Sequence, residues 1–590
     1  METDDWRLEC TYSENAFCGK VEILSRRTFS SIIPSGFESI NANGPGKRSA
    51  MLRSTIRSVA PFFHCCLLLS LFLQVSVLSW VGRSQHPCMK RTFIPSLCLR
   101  QSRFFSSSPA MSFSESHKDY SLIGLQEYAK TLIQSNLDQD EASRTSVCIS
   151  IAGGGGHAIS TLAATPGASS MLLEGSVNYS RQSYRSYIGL ASHIKGFKYS
   201  SHEAAKLASE AALKRALKYR TDNLNLMTGC VGIGCASSLV SSASGEGVQG
   251  FGHIVATRSD GCQVSLNVTL AGMKGMENRT RQDEDVFISH LILRSIELVQ
   301  QADRLIKKSD KTETDVGDYI KEDWGTILVD QFEEEDVASA AAHRILDGNE
   351  QAVVLLPTYR EGRAVSFQAM KFPAIPKGSL VVPGSFNPPH KGHIALAETA
   401  VAMAESLEES RYSCKAAFME LSLTNADKPP IDPETVSARV SRFLELDHLP
   451  DHWGIILTRA PLFSQKVSTL QDCVLDSTDG SKPKLSFVIG TDTFVRIIDP
   501  KYYNNEESAM IEAFRSMEGV RFLVGGRLEQ KKELSTARFV SGKEELEGLP
   551  EDVRAMFTLI EEENFRVDIS STQLRQQEGG HVPASKTLEH

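Results

Sequence analysis

Gly384-Ser-Phe-Asn-Pro-Pro-His-Lys-Gly-His393 follows the apolar run Ser379-Leu-Val-Val-Pro383 and precedes a helical pattern, so this segment reads as strand, tight turn and helix. The turn sets His390 and His393 three apart at a helix entrance. Unpaired N–H groups and the positive end of the helix dipole favour an anion there. Residues at i and i+3 share one helix face, so both rings can reach oxygens of a single polyphosphate. Gly384 and Gly392 allow close backbone approach, and Pro388 and Pro389 stiffen the loop. The competing readings are an HxxH pair packed into a core and part of a zinc site, which would need further ligands at helical spacing. Only the phosphate reading also accounts for the surrounding glycines and prolines.

Three later segments bear on the same chemistry: Val488-Ile-Gly-Thr-Asp492 at a strand end, the strand-like Phe522-Leu-Val-Gly-Gly-Arg527, and Ile569-Ser-Ser-Thr-Gln-Leu-Arg575. Read alone, Ser570, Ser571 and Thr572 form an N-cap cluster with Arg575 one turn on, either an ordinary helix cap or a second anion cradle. In this order the four segments resemble the GxFxPxHxGH, strand-end GxD and ISSTxIR motifs of the nucleotidylyltransferases, particularly the nicotinamide mononucleotide adenylyltransferase and cytidylyltransferase-like group. Leu574 in place of Ile departs from the last motif. The resemblance covers roughly residues 376–580 and implies a Rossmann-like parallel sheet with its ligands outside the carboxyl ends of the strands.

It also implies a reaction: a substrate phosphate attacks the α-phosphorus of ATP or CTP, which arrives with Mg²⁺, and pyrophosphate leaves. Positioning and charge neutralisation carry such transfers, with no nucleophilic side chain and no resident metal site required. On this reading His390, His393 and Arg575 are catalytic. Gly384, Ser385, Phe386, Lys391, Gly490, Asp492, Ser570, Ser571 and Thr572 bind nucleotide and phosphate, with Asp492 beside the nucleotide or its Mg²⁺. For the acceptor, Asn425 and Lys428 lie in turn residues after an expected strand, Ala416 to Leu423, and could meet a phosphate or form a plain surface turn. Lys466 is similarly ambiguous. Tyr502 stands where the resembling adenylyltransferases often stack a pyridine ring on Trp, and tyrosine can stack too. A pyridine mononucleotide, and hence NAD biosynthesis, is the first choice of acceptor.

A second α/β domain is expected upstream, over 116–303. Val147 to Ala152 reads as a buried strand, Gly153 to Gly156 as a loop and His157 to Ala164 as a short helix, again an anion-cradle arrangement. No GK[ST] follows, so it is not a P-loop. Gly155-Gly156, Pro166 to Ser170, Glu174-Gly-Ser-Val-Asn-Tyr-Ser180, Ser200 to Ala205 and Met227-Thr-Gly-Cys-Val-Gly232 resemble, in order and spacing, the C-terminal domain of CinA, the nicotinamide mononucleotide deamidase family. Ile151 and Ala152 stand at that family's Glu and Ser, and Tyr184 at its lysine. Alanine has no hydroxyl to attack an amide. The resemblance implies the fold without the hydrolytic machinery, with ligand binding or self-association through Gly154, Gly155, Gly156, Thr228 and Gly229, or a scaffold with no ligand.

The 590 residues exceed one core, and a net charge of −9 gives no general attraction to nucleic acid. Twelve cysteines without CxxC or metal-ligand spacing do not make a disulfide scaffold. Residues 1–112 read as a targeting leader or membrane segment: no acid occurs between Glu38 and Glu115, and 59–81 is apolar enough to span a bilayer. The stretch from Met89 to Ser108 is Arg- and Ser-rich, as organellar transit peptides are. The apolar run reads as a single-pass anchor, as the h-region of a signal sequence starting at Met51, or as untranslated sequence preceding Met89 or Met111; a mitochondrion or plastid is favoured over an anchored or cytoplasmic protein. Residues 304–375 read as a charged linker followed by short strands at Thr326–Val329, Ala352–Leu356 and Ala364–Phe367 that join the two domains as a small sheet. The tail, 581–590, reads as frayed. The alternatives to an adenylyltransferase are a non-catalytic nucleotide-binding scaffold and a cytidylyltransferase for another acceptor at a membrane.

Overall fold

Two runs of strands, mostly apolar and buried at their centres, build two separate sheets, and both are seen in a computed structural model. It describes residues 119–221, 223–240, 250–270, 279–302, 318–322, 325–330, 336–360, 362–406, 416–425, 429–450, 452–475, 482–529 and 538–566. The leader, the apolar run 59–81, Lys428, the segment from Ser570 to Arg575 and the tail lie outside the described residues. Among the described residues no helix is long and apolar enough to cross a membrane.

The first region opens with helix α1 (Leu122–Leu137) and strand β1 (Ser146–Ala152), followed by α2 (Gly156–Ala164), β2 (Leu172–Val177), α3 (Arg181–Tyr187), α4 (His202–Tyr219) and α5 (Leu224–Met227). Strands β3 (Cys230–Ser238), β4 (Phe251–Arg258) and β5 (Gln263–Thr269) lead to the long helix α6 (Arg281–Gln300), then β6 (Asp318–Glu322) and β7 (Gly325–Asp330). The sheet order is β2-β1-β3-β4-β5-β7-β6. β1 lies parallel to β2 and β3, and the pairings from β3 to β6 are antiparallel. Helix α4 lies unusually close to β3. A Cβ at Gly232 would come within 2.0 Å of the Ser209 carbonyl oxygen and 2.2 Å of the Leu213 nitrogen.

In the second region α7 (Val337–Leu346) and the hairpin β8 (Ala352–Arg360) and β9 (Arg363–Ala369) precede β10 (Leu380–Pro383). There follow α8 (Lys391–Ser406), β11 (Ala417–Ser422), α9 (Pro433–Ser441), β12 (Trp453–Thr458), α10 (Phe463–Cys473), β13 (Leu485–Gly490), α11 (Thr491–Ile497) and α12 (Glu507–Ser516). The chain closes through β14 (Val520–Gly525), the small pair β15 (Arg527–Glu529) and β16 (Arg538–Val540), and β17 (Phe557–Ile560). The large sheet runs β17-β14-β13-β10-β11-β12-β8-β9. Its first six strands are parallel, and β8 and β9 are antiparallel additions at the β12 edge. Numbered along the chain, the parallel strands stand in the order 3-2-1-4-5-6, the doubly wound Rossmann-like arrangement. The protein is therefore α/β, with two large sheets and one two-stranded pair among the described residues.

The strands expected to form one joining sheet do not: β8 and β9 pair with each other, but they and β7 stand in different sheets. β7 extends the first sheet and β8 and β9 extend the second, because an exposed ladder edge is completed most readily by the nearest extended segment. Residues 318–322, inside the stretch read as a charged linker, are a strand paired with β7. The two regions also share one apolar cluster, in which Leu213, Leu217, Leu224 and Met227 pack with Val354, Met370 and Ile375. Polar ties reinforce it: the Lys371 amide donates to the Ser259 carbonyl at 2.7 Å, and Lys214 lies 4.5 Å over the Phe372 ring. Gly232→Ala should destabilise the protein by about 1–3 kcal/mol through overpacking of α4 on β3. A denaturant melt of the purified variant measures it, and an unchanged midpoint would mean that the helix shifts freely.

Candidate functional site

The 3-2-1-4-5-6 order reverses between β10 and β13, which are neighbours, so a crevice opens beyond their carboxyl ends. The turn after β10 carries the decapeptide into α8, and Gly490 ends β13 with Asp492 in the first turn of α11. The topology thus delivers two of the sequence motifs to one edge.

At the start of α8 the two histidines cap the helix reciprocally. The Gly392 amide donates to His390 Nδ1 at 3.2 Å, and the His390 amide donates to His393 Nδ1 at 3.2 Å. This is the pattern of a capping box, with imidazole nitrogens in place of the usual hydroxyl and carboxylate. A ring nitrogen that accepts carries no proton, so each neutral ring bears its hydrogen on Nε2. The rings stack, with centroids 3.7 Å apart and planes at 29°. Burial pushes both imidazoles down. His393 falls from 6.5 to about 3, through burial first and the adjacent His390 second. The pair offers two neutral N–H donors rather than two cations.

Phe386, expected among the phosphate-binding residues, is 1% exposed, and its ring packs edge-on against His393 and Phe443, with centroids 5.1 Å away in each case. Its side chain therefore braces His393, which leaves only its backbone for a ligand. Its φ of +44° is unusual for a non-glycine residue, and the buried ring holds it there. Gly384 is explained by the same ring. A Cβ there would meet Phe386 at 2.7 Å, so this glycine makes room for a side chain rather than for a ligand. Ser385 and Lys391 are exposed, and the Ser385 carbonyl accepts from Arg439 at 3.0 Å. Asp492 is exposed and pairs with Arg527 at 2.6 Å, which joins the ends of β13 and β14. The sequence reading did not single out Arg527.

Of the acceptor candidates, Asn425 is exposed in the loop after β11, at the same sheet edge. Tyr502 lies in the turn Pro500–Tyr503, beyond the far end of α11, roughly 10 Å of helix from Asp492, beside Arg496 and Lys501. Lys466 is not available to an acceptor. Its ammonium donates to Glu420 at 2.5 Å, with side-chain exposures of 7% and 1%, and the Thr458 hydroxyl donates to the same carboxylate. The Glu420 carbonyl accepts from the Gly384 amide at 3.0 Å, so this buried pair stands directly behind the first residue of the loop.

In the first region the glycine loop follows β1, as expected, and α2 begins at Gly156. Thr228 and Gly229 do not join it. β1 and β3 are parallel, with Ser146 opposite Cys230 and Ala152 opposite Ala236, so Gly229 lies at the amino end of the sheet, roughly 20 Å away along the strand. The residues that meet the loop come from elsewhere. Ser237 on β3 accepts from the Gly154 amide at 2.6 Å. Asp285 on α6 accepts from the amides of Gly155 at 2.7 Å, Gly156 at 3.3 Å and His157 at 3.3 Å, and meets the His157 ring at 2.5 Å. Burial alone would raise this carboxyl, but the His157 ring and the three amides outweigh it and hold it below the usual range. A cleft of about 430 Å³ adjoins the loop, lined by His157, Tyr179, Arg281 and Asp285 among others. Tyr184 is buried and donates to the Ala204 carbonyl, so it serves packing. Cys148 and Cys235 are buried, and burial pushes each thiol up to about 12, too high for a nucleophile at neutral pH. Among the described residues no group of three or more His, Cys, Asp or Glu could hold a metal ion.

No family model matches the chain, and no curated protein matches it. Among solved structures it is similar to the competence/damage-inducible protein CihA from Agrobacterium tumefaciens, at 17% identity and a TM-score of 0.23, over 30% of this chain and 96% of that one. It is similar also to a competence-damaged protein (CinA) superfamily protein from Enterobacter cloacae, at 14% identity and a TM-score of 0.22, over 34% and 98% of the two chains. A CinA superfamily protein from Escherichia coli gives 15% identity, a TM-score of 0.21 and coverages of 32% and 95%.

Two predictions follow from the geometry. His393 has a folded-state pKa near 3 against 6.5 when exposed, so the unfolded chain takes up the proton first. Its contribution is present above pH 6.5 and is lost as pH falls toward 3. Between pH 7 and pH 5 the wild type should lose on the order of 2 kcal/mol more than His393→Asn, by denaturant melts at both pH values. Removing one partner of the buried pair, as in Lys466→Met, should cost about 3–5 kcal/mol, whereas the double variant E420M/K466M should cost much less. The melting temperatures of the two proteins settle the comparison.

Proposed function

We propose that the second region is a nucleotidylyltransferase, moving a nucleoside monophosphate from ATP or CTP to a phosphomonoester, with a pyridine mononucleotide of NAD biosynthesis as the favoured acceptor. The observation that carries this reading is the stacked pair His390 and His393, whose Nε2–H groups stand at a helix N-terminus on the topological switch of a parallel sheet. Their sequence context supports it, through the order of motifs from Gly384 to Arg575.

An acceptor phosphate oxygen attacks the α-phosphorus, a new P–O bond forms, and the bond to the bridging oxygen of the β-phosphate breaks as pyrophosphate departs. Two neutral donors suit this work. They bind non-bridging oxygens without first losing a proton, and charge that accumulates at the transition state strengthens both hydrogen bonds. Phe386 and the reciprocal cap fix the rings, so little reorganisation is needed. Mg²⁺ would be held chiefly by the nucleotide's own phosphates, with Asp492 an exposed carboxylate at this edge, and would neutralise charge on the departing pyrophosphate. Ser570, Ser571, Thr572 and Arg575 would hold the distal phosphates, as their sequence pattern suggests.

Pyrophosphate release with ATP or CTP and a panel of nicotinamide mononucleotide, nicotinic acid mononucleotide and phosphopantetheine tests the reading. Turnover should appear with one acceptor, and H390A and H393A should each lower kcat about 10²–10³-fold. Nucleotide binding without pyrophosphate from any acceptor would favour the non-catalytic scaffold instead.

A further inference from the structure

The glycine loop of the first region has every feature of an anion cradle: a parallel strand ends, glycines turn the chain and α2 presents its first amides. Those amides are already taken. One oxygen of Asp285 accepts from Gly155 and Gly156 and the other from the His157 amide and ring. The carboxylate comes from α6, some 130 residues further along the chain, and its side chain, 20% exposed at the cleft, is held by four hydrogen bonds. Asp283 and Glu284, its neighbours on α6, are tied elsewhere, to Thr280 and to Arg279 and the Val240 amide.

We infer that Asp285 is a resident anion that closes this cradle, so that the loop from Gly153 to His157 refuses phosphate-bearing ligands while its carboxylate is in place. A phosphate would have to displace four hydrogen bonds and would then lie against the displaced negative charge. Arg281, on the rim of the cleft, does not relieve this. It donates to the carbonyls of Leu239 and Val240, and so works for the loop that follows β3. The contact is autoinhibitory in form: the fold retains an anion site and fills it with its own side chain.

The test is equilibrium dialysis of radiolabelled inorganic phosphate against the full chain, with H390A, H393A and R575A present in every sample, and the site is read as the difference between chains that differ only at Asp285. The chain with Asp285 intact should show no saturable binding at millimolar phosphate. Asp285→Ala should gain one site, with affinity raised at least tenfold. Asp285→Asn, which keeps the shape of the side chain and drops its charge, should gain a weaker one, and it carries the comparison should the alanine variant fail to fold. Saturable binding at this loop with Asp285 intact, or no gain in a folded variant, would overturn the inference. Neither result depends on whether the second region transfers nucleotides.

Discussion

A helix that starts just after a parallel strand leaves its first N–H groups without partners, and something must satisfy them. This chain meets that constraint twice and answers it in opposite ways. At α8 the side chains of His390 and His393 accept from the backbone, which turns their remaining N–H groups outward. At α2 a carboxylate from a distant helix accepts from three successive amides and ends the matter within the protein. One helix start is left able to donate to a ligand, and the other is sealed.

The difference has an electrostatic side. Neutral imidazoles at α8 bring no charge to compensate the positive end of the helix dipole. Asp285 compensates the dipole of α2 from within the protein, and the His157 ring and the amides favour its ionised carboxyl in return. Burial opposes charge at both sites: the histidines yield and become a donor pair, whereas the His157 ring and three amides keep Asp285 ionised against it.

Much of this was legible in the sequence where the information is local. Strand, turn and helix around His390 and around Gly155 follow from a run of ten to fifteen residues, whereas the parallel sheet was implied only by the resemblance of the motifs. What depended on pairing across long separations was not legible. Nothing near Asp285 or Glu420 announces that one will cap a helix and the other bury Lys466. Thr228 and Gly229 were grouped with the wrong end of the sheet because a motif's order along the chain does not say which end of a strand it occupies. The parallel register of β1 and β3 does. Phe386 belongs to a phosphate-loop pattern, yet its role is set by Phe443, far along the chain, which no local reading supplies.

Strands β8 and β9 precede every recognisable motif of the second region, yet they complete its sheet. A fragment trimmed to begin at the motif block would bare the flank of β12, whose six residues are all buried in the intact protein. Such a piece would present a ready template for intermolecular strand addition and would tend to precipitate. Dissection of the two halves should therefore keep the hairpin with its sheet.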